Sequence, residues 1–260
     1  MPALKIAIQL NSLRLPLRKA IVAAARLGAS GVEIDARGEL RPQDLTNTAL
    51  REMRRLLEEN SLQVAAVTFQ TRRGYDVPDD LERRVAATKA AMKFAAQLGA
   101  PVVVNHVGSI PNEPTGSGWE LLVQSLADLS IYGQHVGALL AAQTGTASGP
   151  DLRRLIDALP ERGIGVDLDP GLLIINKHSP LEAVAALGSH ILHVHAHDAV
   201  RDLARGRGLE VPLGRGSADF PALLGALEEQ QYRGYFTLYR DEAEDPEFEL
   251  SQGVKFLSSL

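Results

Sequence analysis

The chain has 260 residues, 45% hydrophobic and 23% charged, with a formal net charge of -5 and no cysteine. Without cysteine there are no disulfides, thiolate nucleophiles, zinc–thiolate sites or iron–sulfur clusters, and an acidic chain lacking a long basic run is ill suited to broad capture of nucleic acid. No apolar run approaches the ~20 residues of a membrane span, and Met1 leads directly into an apparent strand, so a leaderless, cytoplasmic protein is expected.

Short β-like runs alternate with helix-length segments from end to end. Strands are predicted at Lys5–Leu10, Val32–Ile34, Leu62–Thr68, Pro101–His106, Gly137–Ala142, Ile164–Leu168, Ile191–Ala196 and Tyr235–Tyr239. Their starts lie 27 to 44 residues apart, which suits a βαβ unit of roughly 30 or more residues. The clearest helical segment, Arg83–Leu98, sets Val85, Thr88, Met92, Ala95 and Leu98 on one stripe. Asp79 with Glu82 and Ser179 with Glu182 have capping-box spacing, and Pro180 suits a first helical position. Gly28, Gly99, Gly163, Gly188 and Gly234 each fall between a helical segment and the next strand, where a left-handed residue ends a helix. Repeated β-then-α units allow a closed barrel or an open doubly wound sheet. The turn after the first strand, Gln9-Leu10-Asn11-Ser12, lacks the glycines of a dinucleotide-binding turn. No nucleotide cofactor is therefore expected, and the prediction is a single-domain (β/α)8 TIM barrel over residues 1–260.

In such barrels the active site forms at the C-terminal ends of the strands and on the loops that follow them. The second strand brings Glu33 and Asp35 there, and the fourth brings Asn105 and His106. The sixth ends Asp167-Leu168-Asp169-Pro170-Gly171, with both carboxylates on one face, although Asp-Pro-Gly is also ordinary turn chemistry. The seventh reads His193-Val194-His195-Ala196-His197-Asp198, and five of the seven histidines lie between His178 and His197. Three imidazoles share a face at the end of a parallel strand, where apolar residues are the rule on both faces, so they point to a functional mouth. The connection from His197 to Ala218 sets Arg201, Arg205, Arg207 and Arg215 among four glycines. That composition suits a phosphate or carboxylate held by loop N–H groups, or a charged surface loop.

Taken together, these residues resemble the xylose-isomerase-like TIM-barrel superfamily of sugar-phosphate isomerases and epimerases, which is related to endonuclease IV. The most specific stretches are HVHAHDAVRD and VPLGRGSADFPALLGALEEQQYRGYFTL, and LDPGLLIINKHSP, GVEI and TRRGYDVPDDLERRV are also similar. The resemblance implies one divalent cation held by Glu, Asp, His and Glu from strands five to eight. That cation polarises a sugar's carbonyl and hydroxyl oxygens while the two glutamates move a proton through an enediolate. Asp169 and His195 match the Asp and His positions, and Arg201 matches a substrate-contacting arginine. Gln143 and Tyr239 stand where the family has its two glutamates, and His197 replaces a lysine. The ligand charge falls from about −3 to about −1. Manganese or magnesium is then expected to bind weakly or not at all, and an added imidazole from His193 or His197 would favour zinc.

The implied function is a sugar or sugar-phosphate isomerase or epimerase with altered chemistry. Its catalytic set would be His195, Asp169, Gln143 and Tyr239, and its substrate contacts Arg201, His106, Glu33, His193, His197 and Arg215. The alternatives are a non-catalytic sugar-binding relative and, as a third reading, an endonuclease IV-like phosphodiesterase, which wants a multi-metal cluster and a basic face. The expected partner is a small carbohydrate, with or without a phosphate, rather than nucleic acid or a membrane. The sequence sets no oligomeric state.

Overall fold

The computed structural model describes residues 4–38, 40–159, 163–202 and 207–260. In chain order its strands are β1 (Lys5–Gln9), β2 (Gly31–Asp35), β3 (Gln63–Thr68), β4 (Val102–Asn105), β5 (Leu139–Gln143), β6 (Gly165–Leu168), β7 (Ile191–Ala196), β8 (Asp198–Asp202), β9 (Arg207–Val211) and β10 (Tyr235–Leu238). All but β8 and β9 join in parallel as a closed barrel, with β1 paired to both β2 and β10. The helices are α1 (Leu17–Arg26), α2 (Asn47–Glu59), α3 (Leu81–Gln97), α4 (Ser117–Val136), α5 (Gly149–Asp157), α6 (Pro170–Ile175), α7 (Pro180–Leu187), α8 (Phe220–Glu229) and α9 (Pro246–Ser258). The barrel strands lie within two residues of their predicted ends. Among the described residues no helix is long and apolar enough to cross a membrane.

The two strand faces divide the apolar residues. One face supplies Ile8, Ile34, Val103, Leu140, Val166 and Val194 to the main core beneath the helices. On the other, Ala66, Val104 and Ala141 share a side with Thr68 and Gln143 and form a separate small plug with Val102. The buried polar residues Glu33, Thr68, Asp167, His193, His195 and Thr237 lie toward the C-terminal halves of their strands or at mid-strand, on the side where the site forms.

Local signals fare unevenly. Ser179 Oγ accepts the Glu182 N–H at 3.3 Å, and Pro180 opens α7. The Asp79–Glu82 box does not form: α3 starts after Asp80, which is left-handed (φ 53°), and Asp79 instead pairs with Arg73 at 2.6 Å. Gly28, Gly99 and Gly188 have positive φ, but ahead of β10 that role falls to Gln231 (φ 59°) rather than Gly234. Gly163 adjoins residues 160–162, which lie outside the described set.

The stretch after β7, read as a loop, contains an antiparallel hairpin in which Asp198 of β8 faces Val211 of β9. It packs on α6 so closely that a Cβ on Gly208 would come within 2.6 Å of the Ile175 Cα.

Candidate functional site

Strand register assembles an inner cluster. Asp167 of β6 is level with His193 of β7, and Thr237 of β10 is level with His195. Glu33, Asp167, His193, His195 and Thr237 are all buried. Asp167 serves both imidazoles: His193 Nδ1 lies 2.8 Å from its Oδ1 and His195 Nδ1 lies 2.7 Å from its Oδ2. The opposite ring nitrogens face elsewhere. His193 Nε2 is 2.8 Å from Thr237 Oγ1 and 3.7 Å from Glu33 Oε2, and His195 Nε2 is 2.9 Å from the same Glu33 oxygen. Glu33 Oε1 accepts from Gln9 Nε2 at 2.8 Å and from the Thr68 hydroxyl. Despite their proximity, Glu33 Oε2 and His195 Nε2 lack hydrogen-bond geometry, and among the described residues neither has a hydrogen-bond partner.

Burial opposes the charged form of each of these groups, yet their mutual attraction prevails. The neighbouring imidazoles of His195 and His193 hold the Glu33 carboxyl at about 2. The same two rings keep Asp167 well below the usual carboxylate range. Between the carboxylates of Asp167 and Glu33, His195 is raised well above its ordinary value.

An outer cluster lies nearer the mouth. Asp169 caps α6, its Oδ1 accepting from the Leu172 N–H at 2.8 Å and lying 2.8 Å from His197 Nδ1. Tyr239 donates to Asp169 Oδ2 at 2.7 Å, and its oxygen is 2.8 Å from His197 Nδ1. The His197 ring rests on Gly171, where a Cβ would come within 2.5 Å of Nδ1. Burial and the Asp169 charge push the Tyr239 phenol well above its ordinary value, so it is a neutral donor. Burial lowers His197, but Asp169 and then Glu210 raise it overall. Its Nε2 has no hydrogen-bond partner and faces Glu210 Oε1 across 3.6 Å. Glu210 also pairs with Arg240 Nη1 at 3.1 Å, which ties β9 to the end of β10.

Around the rim, half-buried Gln143 accepts from Gln70 Nε2 at 2.9 Å, and Gln70 Oε1 accepts from the His106 N–H at 3.0 Å. The His106 ring bonds the Thr71 carbonyl. Arg201 and Arg215 are exposed, and Arg205 lies outside the described residues. Four N–H groups of the described part of this connection turn inward. Those of Ala199, Gly214, Gly216 and Ala218 all bond the buried Asp198 carboxylate, at 2.9, 3.0, 2.8 and 3.1 Å.

Of the expected catalytic set, Asp169 and Tyr239 are bonded to each other. His195 meets the Tyr239 ring edge-on at 4.9 Å, and Gln143 stands apart with Gln70. Asp169 and His195 are engaged with different partners. Both Asp169 oxygens serve His197, Tyr239 and the α6 backbone, and both His195 nitrogens face Asp167 and Glu33. With the Gln143 carbonyl also taken, these residues do not fit the family's cation. The donors that do converge, among the described residues, are Glu33, His193 and His195, whose ligand atoms lie within 4.8 Å of one another. Sequence reasoning placed Asp167 on the face of Asp169 but missed its role as shared acceptor. It also missed Gln9, Thr68, Gln70 and Thr237, which carry no distinguishing local signal.

The model of the xylose isomerase-like TIM barrel family matches residues 21–260. An inosose dehydratase from Clostridium botulinum (strain Eklund 17B / Type B) is 23% identical over 257 residues, covering 85% of this chain and 80% of that protein. The crystal structure of a xylose isomerase domain protein from Planctomyces limnophilus superposes with a TM-score of 0.86 at 22% identity, covering 99% of this chain and 97% of that one. A D-psicose 3-epimerase from Clostridium cellulolyticum H10, solved with D-tagatose, gives a TM-score of 0.80 at 15% identity, over 98% of this chain and 99% of that one. With the family model spanning most of the sequence and the barrel closed as its members close theirs, this chain belongs to the xylose isomerase-like TIM barrel family.

Proposed function

We propose that the chain isomerises a small polyhydroxy ketone or aldehyde at the C-terminal mouth, with His197 and Tyr239 in place of the family's two glutamates. The observation that carries this reading is the bonded set of Asp169, His197 and Tyr239, all within 2.7 to 2.8 Å. Asp169 orients the imidazole through Nδ1, and Nε2, which among the described residues faces Glu210 Oε1 across 3.6 Å without a hydrogen bond, is the nitrogen left to exchange protons with substrate. In the reaction a C–H bond beside the carbonyl breaks, and the proton passes to His197 Nε2 while the electron pair moves to oxygen. The neutral Tyr239 phenol swings its one hydroxyl proton from Asp169 Oδ2 to the oxygen on which charge develops. The proton then returns to the neighbouring carbon while that carbon's former carbonyl oxygen takes up the proton released by the adjacent hydroxyl, so that carbonyl and hydroxyl exchange places. One base returns a proton to the face from which it took it. Isomerisation therefore suits this set better than epimerisation, which needs groups on two faces. Gln70, Gln143 and His106, half-buried at the rim, supply amide and imidazole groups for sugar hydroxyls.

A second reading is a sugar-binding relative without turnover, favoured by the neutral Gln143 amide where the family has a base. Incubating the chain with ketoses and ketose phosphates in deuterated water separates the two. Exchange of the carbon-bound hydrogen, falling at least ~100-fold in His197→Gln and Tyr239→Phe, is the expected result. Ligand-induced thermal shifts without any exchange would establish the binding reading instead.

A further inference from the structure

We infer that Glu33, His193 and His195 form a buried site for a transition-metal dication, zinc or a close chemical relative, inside the barrel, sharing only His195 with the strand-five-to-eight ligand set. The inference stands on the inner cluster's own geometry and is independent of the reaction proposed above.

Three observations support it. First, Asp167 holds both imidazoles by Nδ1, one on each carboxylate oxygen, at 2.8 and 2.7 Å. A carboxylate behind a metal-binding histidine is the usual device for fixing its tautomer and orientation, and here one residue does so for two rings. Second, the opposite nitrogens and one Glu33 oxygen converge. Glu33 Oε2 lies 2.9 Å from His195 Nε2 and 3.7 Å from His193 Nε2. Neighbouring donors in a tetrahedral shell with bonds of ~2.0–2.1 Å sit about 3.3 Å apart, a value those two distances bracket. Third, Glu33 Oε2 and His195 Nε2 are buried and face each other as an ion pair at 2.9 Å without hydrogen-bond geometry, so each keeps a lone pair directed at the space a cation would take. The other Glu33 oxygen is fixed by Gln9 and Thr68, so the one facing the imidazoles is aimed rather than loose.

Charge and donor type agree. Two neutral imidazoles and a dication balance the carboxylates of Glu33 and Asp167, leaving the buried interior neutral. Two nitrogens with one carboxylate oxygen suit zinc, and magnesium, which prefers an all-oxygen octahedron, is disfavoured. Thr237 Oγ1 is hydrogen-bonded to His193 Nε2 at 2.8 Å, and this bond must give way when that nitrogen takes the metal.

The test uses the whole chain, purified without chelator, stripped by dialysis and titrated with cobalt(II) and zinc(II). We expect one ion per chain and a cobalt visible band of four-coordinate intensity. Glu33→Gln and His195→Gln should abolish that band, and Asp167→Asn should weaken binding 10- to 100-fold. Asp169→Asn should leave the stoichiometry at one. X-ray absorption on the wild-type zinc form should report two imidazoles, a readout that does not depend on any variant folding. A folded wild-type chain that binds neither ion overturns the proposal. So does a metal lost in Asp169→Asn but kept in Glu33→Gln, or a spectrum with a single imidazole.

Discussion

Tyr75 shows how a polar group is kept inside this barrel. Its hydroxyl lies 2.7 Å from Thr88 Oγ1 and accepts from Asn105 Nδ2 at 2.8 Å, while Asn105 Oδ1 accepts from the Thr71 N–H at 3.1 Å. Burial dominates the two hydrogen bonds and pushes the phenol up to about 12. The unfolded chain loses this proton near pH 10, whereas the folded chain keeps it to about 12. The contribution to stability is therefore complete below pH 10 and is lost as pH rises through 12, worth about 2–3 kcal/mol for a two-unit shift. Urea midpoints measured from pH 9 to pH 12 should fall less steeply in Tyr75→Phe than in the wild type. At pH 7 the variant should be about 1–2 kcal/mol less stable, because the Asn105 amide loses its acceptor. Equal slopes in the two proteins would show that the proton is not held by burial.

At the scale of elements, one carboxylate fixes a whole connection. Asp198, at the start of β8, binds four backbone N–H groups from residues 199 to 218, and so sets the path from the hairpin to α8. Asp198→Ala should cost at least about 2 kcal/mol, since hydrogen bonds to charged groups contribute about 1.5–3 each and are not additive. Hydrogen exchange should quicken at Gly214, Gly216 and Ala218 while the barrel strands keep their protection. Unchanged exchange at those amides would show the loop held by other contacts. The same region marks where the sequence was and was not legible. Each barrel strand announced itself as an apolar run between turns, and period-two spacing put three histidines on one face of β7. The hairpin was hidden because its pairing joins residues such as Val200 and Leu209 across a stretch rich in charge and glycine. The inner cluster was hidden for another reason. The level of Asp167 against His193 depends on the β6–β7 register, which shifts between Val166 and Asp167, and no local pattern records that shift. Gln143 and Tyr239 could be singled out from the resemblance, but not their partners, because Gln70 and His197 reach them from other strand ends.

Across the whole molecule, the barrel's fold and its proposed ion are separable, and their separation is measurable. The main core links all eight barrel strands to the helices around them, so the chain has ample apolar burial to fold without a metal. An ion bound only by the folded state then adds stability by mass action, about 2.7 kcal/mol when its free concentration is 100 times the dissociation constant. For a chain of this size each kcal/mol moves the melting midpoint by roughly 2 °C, so zinc should raise it by about 5 °C and a chelator should reverse the rise. The stripped protein should still melt in one cooperative transition, unlike small metal-dependent domains that unfold when the ion is removed. Glu33→Gln should melt at the same temperature with zinc or chelator, because the oxygen that faces both Nε2 atoms is then an amide group without charge. Asp169→Asn should retain the zinc-dependent rise even though it disturbs the outer cluster. If the rise persists in Glu33→Gln and vanishes in Asp169→Asn, the ion sits at the mouth after all. The outer triad would then have to open to receive it.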